Sequence, residues 1–197
     1  MARHATKAHD VSRDACPDCG GPTSERTSTA AEPYAYTLGG LPGVRLIGVV
    51  LETCERCGAE IVGFPRLGQL ERVIARELLR KPALLSGDEL RFVRKHAGIP
   101  AARFAALLGV TPAHLSRFEN AHEGNNLGAP ADRLARAIVA AACSGFDARE
   151  VLLGRTDESG RRRNRPRPAP SVFQFVQNRW RPVARVPPHD PAREEAS

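Results

Sequence analysis

The apolar positions of this chain change period at Leu67. Ahead of it they come in short runs bounded by turn residues. Tyr34-Ala35-Tyr36-Thr37-Leu38 has strand character, Gly39-Gly40-Leu41-Pro42-Gly43 is a turn cluster, and the β-branched run from Val44 to Thr53 predicts a second strand. Ile61 and Val62 predict a short strand before Phe64-Pro65, and the polar run Thr23 to Glu32 reads as loop. From Leu67 onward Leu67, Leu70, Val73, Ile74 and Leu78 recur at helical spacing, with Glu71, Arg72 and Arg76 between them. This helix is expected to stop near Lys81-Pro82 and to connect the β-rich part to the second half of the chain. Its single apolar stripe is expected to pack on its own domain, a dimer contact being the other use of such a stripe.

Ser86 opens a helical series, with Glu89 three residues on, as in a capping box. The spacing predicts helices over about 87–97, 101–108, 112–121 and 130–143, and a short one near 147–153. Helices this short and this close together suit a compact bundle. After Arg155 the chain turns Arg/Pro-rich and is expected to be largely disordered. The predicted fold class is therefore α+β and multidomain. Residues 1–14 form a flexible lead, 15–66 a small β-rich module, 67–85 a linker helix, 86–154 an all-α five-helix domain, and 155–197 a basic tail. No internal repeat is present.

Cysteine usage sharpens the first module. Cys16, Cys19, Cys54 and Cys57 form two C-x2-C pairs, each followed by glycine. Two intervening residues let both sulfurs of a pair reach one tetrahedral ion. Four thiolates leave no position for water, so the expected cofactor is a structural Zn2+ ion. Two separate redox pairs are the alternative, but neither lies in the β-α setting of a thioredoxin. Cys143, beside Ile138, Val139 and Ala142, reads as a core residue.

The stretch from Ile99 to Asn120 is the most informative in the second half. Phe104, Ala105 and Leu108 form the inner face of one helix, Gly109 supplies a turn, and Val110 plugs the corner. Thr111 is a good N-cap and Pro112 suits the first helical position. Leu115 and Phe118 point back to the core, which leaves Ala113, His114 and Arg117 on the outer face, as in a helix that enters the major groove of DNA. Arg117 suits guanine O6 and N7. His114 reaches a base edge or a phosphate, and Thr111, Ser116 and Asn120 position the backbone. Pro112 and Ala113 offer no side-chain hydrogen bonds, so sequence reading is thin or depends on DNA shape.

This window resembles the Cro/repressor-like (XRE) helix-turn-helix family, on Ala-x3-Gly-Val-Thr and Ser-Arg-Phe-Glu-Asn. The resemblance implies that Arg94 and Glu119 pair structurally between the first and third helices of the domain. Such families often carry Gln where this chain has Ala101. Both halves together resemble the MqsA-type antitoxin family, through Cys16-Pro-Asp-Cys-Gly, Tyr36, Gly40-Leu41-Pro42-Gly43-Val44, Cys54-Glu-Arg-Cys-Gly, Phe64-Pro-Arg and the helix-turn-helix, over roughly residues 16–145. That likeness implies a homodimer that represses its own promoter, a double-stranded operator as ligand, and a toxin protein bound by the zinc half. It also puts Arg117 on a base-contacting position, and Ala113 where the family can carry Asn.

Charge fits a polyanion partner. The net charge is +7, and residues 155–197 hold ten Lys/Arg against five acidic residues. Residues 159–185 hold eight arginines and no acid, and Arg161-Arg162-Arg163, Arg165 and Arg167 are spaced to follow phosphates. A soluble linker explains the same run. Val172, Phe173, Phe175, Val176 and Trp180 exceed what a linker needs, and suggest a short strand docked on the body or on a partner. The N-terminus lacks the apolar core of a signal peptide, and no run approaches the ~18 apolar residues of a membrane span, so a cytoplasmic location without membrane contact is expected. No catalytic constellation is present, which argues against an enzyme. The alternatives to an antitoxin are a toxin-free transcription regulator, and a protein-interaction adaptor that uses the zinc module and binds DNA only secondarily.

Overall fold

The computed structural model describes residues 15–120, 127–153 and 171–183. The expectations for residues 1–14, the Arg/Pro run of 155–170, and 184–197 lie outside the described residues. Within them the chain forms two sheets and six helices, an α+β arrangement.

The first sheet has the order β1-β4-β5, from Thr23–Thr27, Val50–Cys54 and Glu60–Gly63. β1 occupies a run expected to be loop. Its residues are exposed but for half-buried Thr23, so no alternation of apolar and polar positions announces it. The strand is fixed by its partner, pairing antiparallel with β4 from Thr23 opposite Cys54 to Thr27 opposite Val50. The second sheet has the order β2-β3-β6-β7, with β2 at Tyr34–Ala35 and β3 at Arg45–Ile47. The strand expected over Val44 to Thr53 is thus two strands in two sheets. Gly48, at φ 85°, makes the corner between them, and a Cβ there would stand 2.9 Å from the Phe175 carbonyl oxygen. Buried Ser28 holds the corner: its hydroxyl donates to Leu46 O at 3.1 Å and accepts from Val49 N–H at 3.0 Å.

Within the tail expected to be largely disordered, the short strand suggested by Val172 to Trp180 is present as two strands over 172–183. There β6 (Val172–Val176) and β7 (Arg179–Val183) form a hairpin, and β6 runs parallel to β3. Gln177 and Asn178 both take positive φ, as a two-residue hairpin turn requires. Phe173 and Trp180 are buried, and the Trp180 indole N–H donates to Pro65 O at 2.7 Å. A parallel partner needs a long crossover, and here all six helices of the described residues lie between β3 and β6.

Helix α1 (Leu67–Arg80) buries Leu70, Ile74, Ala75, Leu78 and Leu79. These join one apolar cluster that runs from Tyr36, just after β2, and Leu46 of β3 through α1 to Phe104, Leu115 and Val139 of the helices, and on to Trp180. α1 is a shared wall between the halves, its stripe covered by this chain. α2 (Gly87–His96), α3 (Ala101–Leu108), α4 (Pro112–Asn120), α5 (Gly128–Ala142) and α6 (Ala148–Leu153) complete the bundle. Among the described residues no helix is long and apolar enough to cross a membrane.

One polar network within this core was not legible in the sequence. Arg136 is fully buried, pairs with Asp132 at 2.9 Å, and donates to the carbonyl oxygens of Leu78, Leu79, Lys81 and Ala83 at 2.7–3.1 Å. Asp132 also accepts from the Leu85 N–H at 2.9 Å. The guanidinium therefore closes the carbonyl end of α1, where a cation is favoured, and fastens α1 to α5.

Candidate metal centre and nucleic-acid interface

Two knuckles bring the four cysteines together. In the first, Gly20 N–H returns to Cys16 O at 2.8 Å; in the second, Gly58 N–H returns to Cys54 O at 3.0 Å. Both glycines have positive φ, 68° and 72°, which a side chain resists. Pairing of β1 with β4 then sets one knuckle against the other. The four sulfurs lie within 4.8 Å of one another, with Cys16–Cys57 at 3.7 Å and Cys19–Cys54 at 3.5 Å. A tetrahedral ion with metal–sulfur bonds of about 2.3 Å needs sulfurs about 3.8 Å apart. The cluster is therefore placed to hold a metal ion.

Local electrostatics divide the thiols. Backbone N–H groups of Cys57 and Arg56 hold the Cys54 thiol down to about 6, against desolvation by burial. The Gly21 N–H pulls the Cys19 thiol down, but hydrogen bonds shared with Cys54 and Cys57, together with desolvation, outweigh it and push this group up to about 12. The Ala59 N–H pulls the Cys57 thiol down, but hydrogen bonding to Cys54 and desolvation outweigh that pull, and this group too is raised. Metal uptake must therefore displace protons, and binding weakens as pH falls. Cys143, outside this cluster, is half-buried against the core.

The second group of residues sits on α4. Gly109, at φ 69°, ends α3, and the Val110 N–H returns to Ala105 O at 3.0 Å. Thr111 caps α4, its hydroxyl accepting from the His114 N–H at 3.1 Å. Leu115 and Phe118 are buried, whereas Thr111, Ala113, His114, Ser116, Arg117 and Asn120 are exposed. Arg117 makes no ion pair among the described residues. Asn120 is already engaged: its amide N–H donates to Ser116 O at 2.7 Å and its carbonyl accepts from Arg91 at 3.0 Å.

Arg94 and Glu119 meet beneath this face. The guanidinium forms a bidentate pair at 2.6 and 2.7 Å and also donates to Ile99 O at 3.0 Å. The pair therefore fixes α4 to α2 and to the loop before α3. Gly87 sets the spacing: a Cβ there would stand 2.1 Å from the Phe118 carbonyl oxygen. Gly87→Ala is expected to force α2 off α4 and to cost ~1–3 kcal/mol, as overpacking does. Urea denaturation checks this, and an unchanged midpoint would mean that the two helices tolerate a wider spacing.

Comparison of the chain with protein-family models, curated proteins and solved structures finds no match.

Proposed function

We propose that this protein is a sequence-specific, DNA-binding transcription regulator that reads the major groove with α4 and carries a structural zinc ion in the four-cysteine cluster. The observation that carries the reading is the exposed face of α4. The Arg117 guanidinium, with no ion pair among the described residues, and the His114 imidazole project from a short helix. Its opposite side is anchored by Leu115, Phe118 and the Arg94–Glu119 pair. Rigid anchoring beneath an exposed Arg is what base reading requires. Ala113 adds only a methyl contact, and Asn120 serves the helix itself. In this reading the α3–α4 pair is an XRE-type helix-turn-helix, and the zinc has no catalytic task.

The resemblance to the MqsA-type antitoxins narrows the role to autorepressor of a type II toxin–antitoxin pair, acting as a homodimer in the cytoplasm. A dimer would set two α4 helices one helical turn of DNA apart, about 34–36 Å. Arg117→Ala is expected to cost ~1–3 kcal/mol on the operator and less on random DNA. Fluorescence anisotropy on both DNAs measures this, and equal losses would reduce Arg117 to a phosphate contact. A small protein encoded beside this chain and co-purifying with it would support the antitoxin role. Its absence would leave a toxin-free regulator.

A further inference from the structure

A groove of about 430 Å3 lies between the turn that follows β2 and helix α2. Neither the metal centre nor the exposed face of α4 uses it. Its accessible apolar surface comes from Pro42 and Val44, over buried Tyr36 and Leu41, and its charged residues are Arg45, Asp88 and Arg91. The turn is held close to α2, because a Cβ on Gly39 would stand 2.8 Å from the Tyr36 ring and 3.0 Å from that of Phe92.

The charges point to an anion. Arg45 is exposed and makes no ion pair among the described residues. Arg91 bridges Asp88 and the Asn120 carbonyl, so one acid stands against two guanidiniums. A guanidinium presents a planar fork that fits phosphate oxygens two at a time. The volume lies within the about 300–1,000 Å3 usual for small-ligand sites. We propose that this groove binds a small phosphate monoester of nucleotide size. The phosphate sits at Arg45 and Arg91, a hydroxyl or amino donor of the ligand faces Asp88, and its flat or apolar part lies on Pro42 and Val44.

The position of Arg91 gives the site a regulatory consequence, which rests on the DNA-binding reading. Asn120 is the last residue of α4, and its amide joins Arg91 to the Ser116 carbonyl. A phosphate that recruits Arg91 withdraws that tie and loosens the end of α4, so occupancy and DNA affinity are coupled.

The test uses the full chain and two probes, inorganic phosphate and adenosine monophosphate. By NMR, either probe is expected to shift the backbone signals of Gly40 and Gly43 saturably, with the monophosphate binding more tightly, and Arg45→Glu is expected to weaken it at least tenfold. No saturable shift with either probe, or an equal response in a folded Arg45→Glu chain, overturns the site whether or not the protein binds DNA. In DNA titrations, saturating monophosphate is expected to weaken wild-type binding at least about fivefold, the lower range for coupled sites. Arg45→Ala should abolish that effect and leave ligand-free DNA affinity unchanged. A loss of DNA affinity in Arg45→Ala without the monophosphate would identify the DNA backbone as the phosphate source, and would overturn the small-ligand proposal.

Discussion

Arg136→Met is expected to lower stability by ~3–5 kcal/mol, the range for breaking one partner out of a buried charge pair. In a chain of this length that is a fall in Tm of roughly 6–20 °C. Methionine fills much of the volume, so the loss comes from polar groups left behind. The buried Asp132 carboxylate loses its bonds to Arg136, and the carbonyls of Leu78, Leu79, Lys81 and Ala83 lose their shared donor. A double variant, Asp132→Leu with Arg136→Met, removes both charges of the pair. It should recover only part of the loss, because the α1 carbonyls and the Leu85 N–H remain unserved. Chemical denaturation of the three proteins measures both effects. A single variant within about 1 kcal/mol of wild type would show that water replaces the guanidinium at little cost.

Metal removal should have the other large effect, and it should be local. Structural zinc contributes about 10–16 kcal/mol of apparent binding free energy in zinc-finger peptides at neutral pH, and where the site exists only in the folded chain that is folding free energy. An ion held by the four cysteines would serve the first sheet most. Cys16, Cys54 and Leu51 are buried but lie outside the apolar cluster shared by the second sheet and the helices. Chelation is therefore expected to melt the knuckles with β1, β4 and β5, and to spare β2 and β3. Those two are held by Tyr36 and Leu46 in the shared core and by the β6–β7 hairpin. Hydrogen exchange with and without chelator reads this directly. Protection should vanish over residues 50–63 and persist over 34–47 and 67–120. Retained protection at 50–63 after verified metal loss would mean that the first sheet stands without an ion. Cys54→Ser should act in the same direction.

The features legible in the sequence were those with local chemistry. Ser86 and Glu89 form the capping box that their spacing announces, with bonds of 3.3 and 2.8 Å. Gly109, Thr111 and Pro112 mark the break between α3 and α4, since positive φ, a hydroxyl cap and a fixed φ are properties of single residues. The two C-x2-C knuckles are likewise local, and β1 against β4 brings them together. What escaped is set by distant partners. β1 shows no apolar face, so only its pairing with β4 reveals it. Gly48 divides what reads as one β-branched strand, because the two sheets claim its flanks. The hairpin at 172–183 left a trace in Phe173 and Trp180 amid arginine and proline, but its parallel partner β3 lies near the other end of the chain. Asp132 and Arg136 stand four residues apart on α5, and only the packing of α5 against the end of α1 takes them inside.

The DNA-reading role proposed for α4 meets its most direct test in DNase footprinting of the region upstream of this protein's own reading frame, with wild type and Arg117→Ala side by side. The account predicts a discrete protected stretch with two-fold symmetry for wild type, and its loss for the variant at the same concentration. Absence of protection by folded, metal-loaded wild-type protein, or an unchanged footprint with Arg117→Ala, would contradict it.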